Sequence, residues 1–123
     1  MKQTPNRHGD DLAERLLNFA VRIIKLVNSM PKTTVGKHVA GQLLRSGTSP
    51  GSNYEESRGA ESRSDFIHKL GIVLKELKES RFWLNVVYRT EIVKPQLIEP
   101  LIQECEELCA IIARSIVTAK GNK

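Results

Sequence analysis

The sequence predicts an all-α protein, an antiparallel up-down-up-down four-helix bundle. Three observations carry this. Apolar residues recur at spacings of three and four in four successive stretches. No stretch alternates apolar and polar residues as a half-buried strand would. The breaks between stretches hold Pro, Gly, Ser and Thr, residues that start or stop helices. The chain has 123 residues, enough for one domain with a real core. Aromatics are only 5% of it, so Leu, Ile, Val and Ala fill the interior.

The first helix is expected over residues 10–30. Leu12, Leu16, Phe19, Ala20, Ile23, Val27 and Met30 form its apolar stripe, Asp10, Asp11 and Glu14 suit its dipole, and Pro31 ends it. Thr33 or Thr34 caps the second, which runs to about Gly59 with Val35, Val39, Leu43 and Leu44 on its apolar side. Ser62-x-x-Asp65 is a capping-box pattern for the third. There Phe66, Leu70, Val73, Leu77, Leu84 and Val87 follow a near-seven period, and the helix reaches about Arg89. Pro95 or Pro100 opens the fourth, whose inner side runs from Ile98 to Ile116 and which ends near Ala119. Residues 1–9 and 120–123 are read as flexible ends around a 10–119 bundle. Short connections between long helices force antiparallel neighbours.

The stretch RSGTSPGSNYEES, residues 45–57, breaks the usual rules for a helix interior. Gly47 and Gly51, one turn apart, predict a face where another helix packs closely. Pro50 removes a backbone donor and predicts a kink. Arg45, Asn53 and Glu56 share a face, as do Glu76 and Glu79 on the third helix. An antiparallel pair brings Arg45 towards Glu76 or Glu79. These five residues are read as a polar clamp that fixes helix register, with a ligand site as the alternative.

The formal charge is +5, all of it in the first part of the chain: residues 1–50 hold eight Lys/Arg against three Asp/Glu, and residues 51–123 hold eleven of each. An uneven basic surface points to an anionic partner such as nucleic acid. Arg15, Arg22, Lys25, Lys32 and Lys37 are the candidate contacts. Cys105 and Cys109 are four apart on one helix, read as reduced core thiols. His8, His38 and His68 complete no ligand set, so no metal or other cofactor is expected. The polar opening MKQTPNRHGD lacks the apolar stretch of a secretory leader, and no run of about 20 apolar residues exists to span a membrane, which predicts a cytoplasmic protein. No nucleophile–base pair stands out, and no enzymatic activity is expected.

LLRSGTSPGSNYEES, followed by AESRSDFIHKLGIVLKELKESRFWLNVV, resembles the four-helix-bundle family of the 23S rRNA intervening-sequence proteins. Arg45 to Ser49, Asn53 and Glu56 match its second-helix signature. Ser62, Asp65, Phe66, Lys69, Leu70, Lys75, Glu76, Glu79, Arg81 and Trp83 match that of its third helix. Pro50 departs from the pattern, which more often has Ile or Val there. The resemblance implies a four-helix bundle without established enzymatic activity, related to proteins that assemble as pentameric rings. It also implies a distant kinship to the accessory protein of diversity-generating retroelements, a basic pentameric barrel that binds nucleic acid and a reverse transcriptase.

The residues themselves point towards assembly. Leu17, Val21, Ile24 and Leu26 widen the first helix's apolar arc, and Ile72, Phe82, Trp83 and Val86 lie outside the third helix's seam. One bundle does not need so much apolar surface. The expectation is therefore a non-catalytic homo-oligomer, a pentameric ring by the resemblance, associated with RNA through a basic surface. The alternative is a protein-interaction scaffold or adaptor without nucleic acid.

Overall fold

The computed structural model describes residues 9–121. Four helices follow in order: α1 (Asp10–Ser29), α2 (Thr34–Arg58), α3 (Arg63–Thr90) and α4 (Pro95–Ala119). No strand occurs among the described residues. Each helix packs on its neighbours in sequence, and α4 returns to α1 in the slightest of the four helix pairings. This is the antiparallel four-helix bundle.

Local chemistry sets the boundaries. Pro31 follows Met30, the extended C-cap of α1. Thr33 Oγ1 accepts the Gly36 amide at 3.0 Å and caps α2. Ser62 Oγ accepts the Asp65 amide at 3.0 Å, and the Asp65 carboxylate reaches back to the Glu61 amide at 3.3 Å, a capping box shifted by one residue. Glu91 ends α3 in the left-handed region, at φ 57°. Pro95 opens α4, and Pro100 sits inside its early turns. Residues 1–8 and 122–123 lie outside the described residues. Gly9 is the N-cap of α1, at φ 91°, and lies against Tyr54.

The core lies between all four helices. Leu16, Phe19 and Ile23 come from α1, and Leu43 from α2. The α3 residues Leu70, Val73, Leu77, Leu84 and Val87, and the α4 residues Ile98, Cys105, Leu108 and Ile112, complete it. The α3 seam is a regular heptad in which Ser80 takes the one polar position. Ser80 is fully buried, and its hydroxyl shares a hydrogen bond with that of the equally buried Ser46 at 3.1 Å. Phe66, expected in the seam, is only half-buried.

The expected close approach of helices occurs at Gly47. A β-carbon there would stand 2.7 Å from Ile23 Cγ1, which only a side-chain-free residue avoids. Gly51 is looser: its β-carbon would make ordinary contact, 3.5 Å from the Leu16 carbonyl oxygen. Pro50 does not end α2, which runs unbroken to Arg58 with Pro50 buried in it. Hydroxyls and an amide bond backbone carbonyls around this turn: Thr48 to Leu44 at 2.6 Å, Ser52 to Ser49 at 3.1 Å and Asn53 to Ser49 at 3.0 Å.

Candidate nucleic-acid interface

Arg15 does not stand free on a basic face. Its guanidinium grips Glu104 of α4 with two hydrogen bonds, 3.0 Å from Nε and 2.7 Å from Nη2, and reaches Glu107 at 2.9 Å. The two carboxylates hold its pKa above the ordinary arginine value. Arg15 is therefore a tie between the first and last helices, where the bundle has least packing.

The other four sequence candidates are exposed. Arg22 and Lys25 lie on α1, Lys32 in the α1–α2 turn and Lys37 in the first turns of α2. None forms an ion pair with a described residue. The ion pairs use carboxylates faster than cations. Arg15, Arg45, Arg58 and Lys69 engage Glu104, Glu107, Glu76, Glu79, Asp10, Glu55 and Asp65. Among the described residues these clusters hold four cations and seven carboxylates, a net charge of −3.

The polar clamp forms in part, and on the surface rather than inside. Arg45 reaches Glu76 at 3.1 Å and also pairs with Glu79, but its side chain is 51% exposed. Asn53 does not join. Its amide is satisfied by Ser49, one turn back on its own helix. Glu56 is exposed and has no side-chain partner among the described residues. The cluster grows in other directions instead. Gln42 accepts from Arg45 at 3.3 Å, and Trp83 Nε1 donates to Glu79 at 3.2 Å. The His38 ring meets Trp83 edge-on at 5.8 Å, and Phe82 meets it at 4.9 Å.

Two further features have the character of sites. A cavity of about 920 Å³ opens between the end of α2, the start of α3 and the end of α4, lined by Tyr54, Arg63, Phe66, Arg114 and Ser115 among others. Cys105 and Cys109 are free and buried. The Cys105 thiol donates to the Leu77 carbonyl at 3.2 Å. Its pKa is raised by its hydrogen bonding with Cys109 and by burial, so it stays a neutral packing group. No group of three or more His, Cys, Asp or Glu side chains is arranged to hold a metal ion among the described residues. No helix among the described residues is long and apolar enough to cross a membrane.

The apolar arc of α1 is real but narrower than expected. Leu17 is 56% exposed, and Val21 and Ile24 are each 42% exposed, while Leu26 is buried in the core. On α3, Ile72, Trp83 and Val86 are half-buried, whereas Phe82 is 59% exposed. Phe82 stands out in the sequence as an extra apolar residue, and cations share its face. Lys75, Lys78, Phe82, Asn85 and Arg89 succeed each other at spacings of three and four, the same signal that revealed the core face.

The profile of the 23S rRNA-intervening sequence protein family matches residues 11–114. No curated protein matches the chain. Among solved structures, one similar to this chain is a protein of unknown function from the S23 ribosomal protein family of Bacteroides thetaiotaomicron VPI-5482. It is 36% identical, with a TM-score of 0.77, and the match covers 85% of this chain and 96% of that one. The family match spans all four helices, with the Arg45 cluster and the close contact at Gly47 inside it, and the chain belongs to the 23S rRNA-intervening sequence protein family.

Proposed function

We propose that this chain is a non-catalytic, RNA-associated protein that holds phosphate backbone through exposed lysines and arginines. The observation that carries the reading is that Arg22, Lys25, Lys32 and Lys37 are exposed and form no ion pair among the described residues, where the ion pairs engage more carboxylates than cations. The family name supports the choice of RNA as the anion. Phosphate contacts of this kind fix position without reading sequence. Such a protein works in the cytoplasm.

The test is RNA affinity as a function of salt. The logarithm of affinity should fall linearly with the logarithm of salt concentration. Reversing Arg22, Lys25, Lys32 and Lys37 to Glu should flatten that slope by roughly one unit for each phosphate-bound cation removed. Binding that is independent of salt, or indifferent to the four reversals, overturns the assignment of these residues.

A second observation favours self-association. Leu17, Val21 and Ile24 form an exposed strip on α1, beside a groove that Leu17 and Ala20 share with Thr48 and Gly51 of α2. Exposed apolar strips of this kind usually mark interfaces. Copies joined through it form the ring of five that the family resemblance implies. Light scattering should give an oligomer for the native chain and a monomer for Leu17→Glu/Ile24→Glu. An oligomer that ignores RNA at every salt concentration would make the chain a protein-interaction adaptor instead.

A further inference from the structure

We propose that the outer face of α3 is a stacking platform for single-stranded RNA, with Phe82 beneath a base and Lys75, Lys78 and Arg89 on the flanking phosphates. The proposal rests on the RNA reading above and names the surface and the form of the RNA.

The stripe Lys75, Lys78, Phe82, Asn85 and Arg89 lies opposite the buried seam of α3. It extends about 21 Å along the helix at 1.5 Å per residue. Lys78, Arg81, Phe82, Asn85, Val86 and Arg89 line a shallow cleft of about 380 Å³ with no carboxylate in it. The two carboxylates on the α2 side of the helix, Glu76 and Glu79, are both held by Arg45. Lys75, Lys78, Arg81 and Arg89 have no ion-pair partner among the described residues. An aromatic ring set among unpaired cations is the combination that binds single strands, because every base has a face to stack and every linkage has a phosphate.

Phe82 is held in place rather than left to swing. Its ring meets Trp83 edge-to-face, centroids 4.9 Å apart and planes at 81°. Trp83 is fixed in turn by its hydrogen bond to Glu79, and Glu79 by Arg45. The cluster expected to set helix register thus supports an exposed aromatic, which lowers the ordering cost of binding. The stripe suits RNA better than a second copy of itself, since two such faces would set lysines and arginines against one another. A base-paired duplex offers Phe82 no free base face, so the platform distinguishes single strands from duplexes.

Phe82 is exposed, so Phe82→Ala should fold, as circular dichroism and native mass will show. Fluorescence anisotropy with a labelled single-stranded RNA of about ten nucleotides should show a loss of about 5- to 150-fold in affinity for Phe82→Ala. Phe82→Tyr should restore it, and duplex RNA should bind both forms alike. Lys78→Ala and Arg89→Ala should each lower the salt slope by roughly one unit. If the native chain binds single strands and Phe82→Ala binds them equally well, the platform is refuted while the RNA reading stands. If the native chain binds no RNA, both fall. A Phe82→Ala chain whose native mass changes would assign the ring to a protein contact and overturn the platform.

Discussion

Ser46 and Ser80 face each other across the buried seam between α2 and α3, their hydroxyl oxygens 3.1 Å apart. Both side chains are fully buried, and Ser80 also lies 3.0 Å from the Glu76 carbonyl. The pair occupies a position where the heptad calls for a hydrophobe, between Leu77 and Leu84. Two small polar residues there let α2 and α3 approach closely and meet only where their hydroxyls coincide. Neither gains if the helices slide by a turn.

A double-mutant cycle tests this pair. Ser80→Ala leaves the Ser46 hydroxyl buried without that partner, which should cost about 1–3 kcal/mol in denaturant unfolding. The double variant Ser46→Ala/Ser80→Ala removes both groups and should recover much of that loss. Strictly additive losses would mean that the two hydroxyls do not depend on each other.

Gly47 and Gly51 look alike in sequence and should behave differently. At Gly47 a β-carbon collides with Ile23, 2.7 Å from Cγ1 and 2.8 Å from Cγ2. Gly47→Ala should therefore destabilise by about 1–3 kcal/mol, the usual cost of overpacking, despite the better helix propensity of alanine. At Gly51 the same change meets ordinary contacts, and propensity should stabilise by about 0.5–1 kcal/mol. Thermal melts of the two variants check the order. Equal melting temperatures would show that Ile23 moves aside freely.

Arg45 separates a surface cluster from a buried clamp. A buried arginine between two carboxylates would cost about 3–5 kcal/mol to remove. Arg45 is 51% exposed, so Arg45→Ala should cost no more than about 1 kcal/mol. Its effect should appear at Trp83 instead, the sole tryptophan, whose hydrogen-bond acceptor Glu79 loses its cation. The emission of Trp83 should shift in Arg45→Ala while the melting temperature barely moves. A large loss of stability with unchanged emission would restore the buried clamp.

The helix boundaries were legible because their causes are local. Thr33, Ser62, Pro31 and Pro95 act within a turn of themselves, and sequence distance is then physical distance. The α3 seam was legible because one heptad repeats through it. What lay beyond reach was the choice of partner. Helical spacing puts Arg45, Asn53 and Glu56 on one face, but the Asn53 amide finds Ser49 on its own helix first. Arg15 reads as one more cation on α1, because Glu104 and Glu107 lie 89 and 92 positions away in the chain. Periodicity also misplaced Leu26, which the bundle buries.

The Arg15 tie makes stability depend on pH through Glu107. The pKa of that carboxyl is lowered by the hydrogen bond from Gln103 at 3.3 Å and by the one from Arg15 at 2.9 Å. A depressed native pKa means the ionised form favours the fold. Its contribution is present above the unfolded carboxylate value of about 4.3 and is lost as pH falls through the lower native value. Both Arg15→Ala and Gln103→Ala should therefore raise the Glu107 pKa. Arg15 carries a full charge and makes the shorter bond, so its removal should raise it further than removal of the Gln103 amide. Carboxyl-carbon NMR titration of Glu107 in the two variants measures this directly. Arg15→Ala should also flatten the acid limb of the stability curve below about pH 5, since the variant then has less to lose on protonation. A Glu107 titration unmoved by Arg15→Ala would remove Arg15 as the link between α1 and this part of α4.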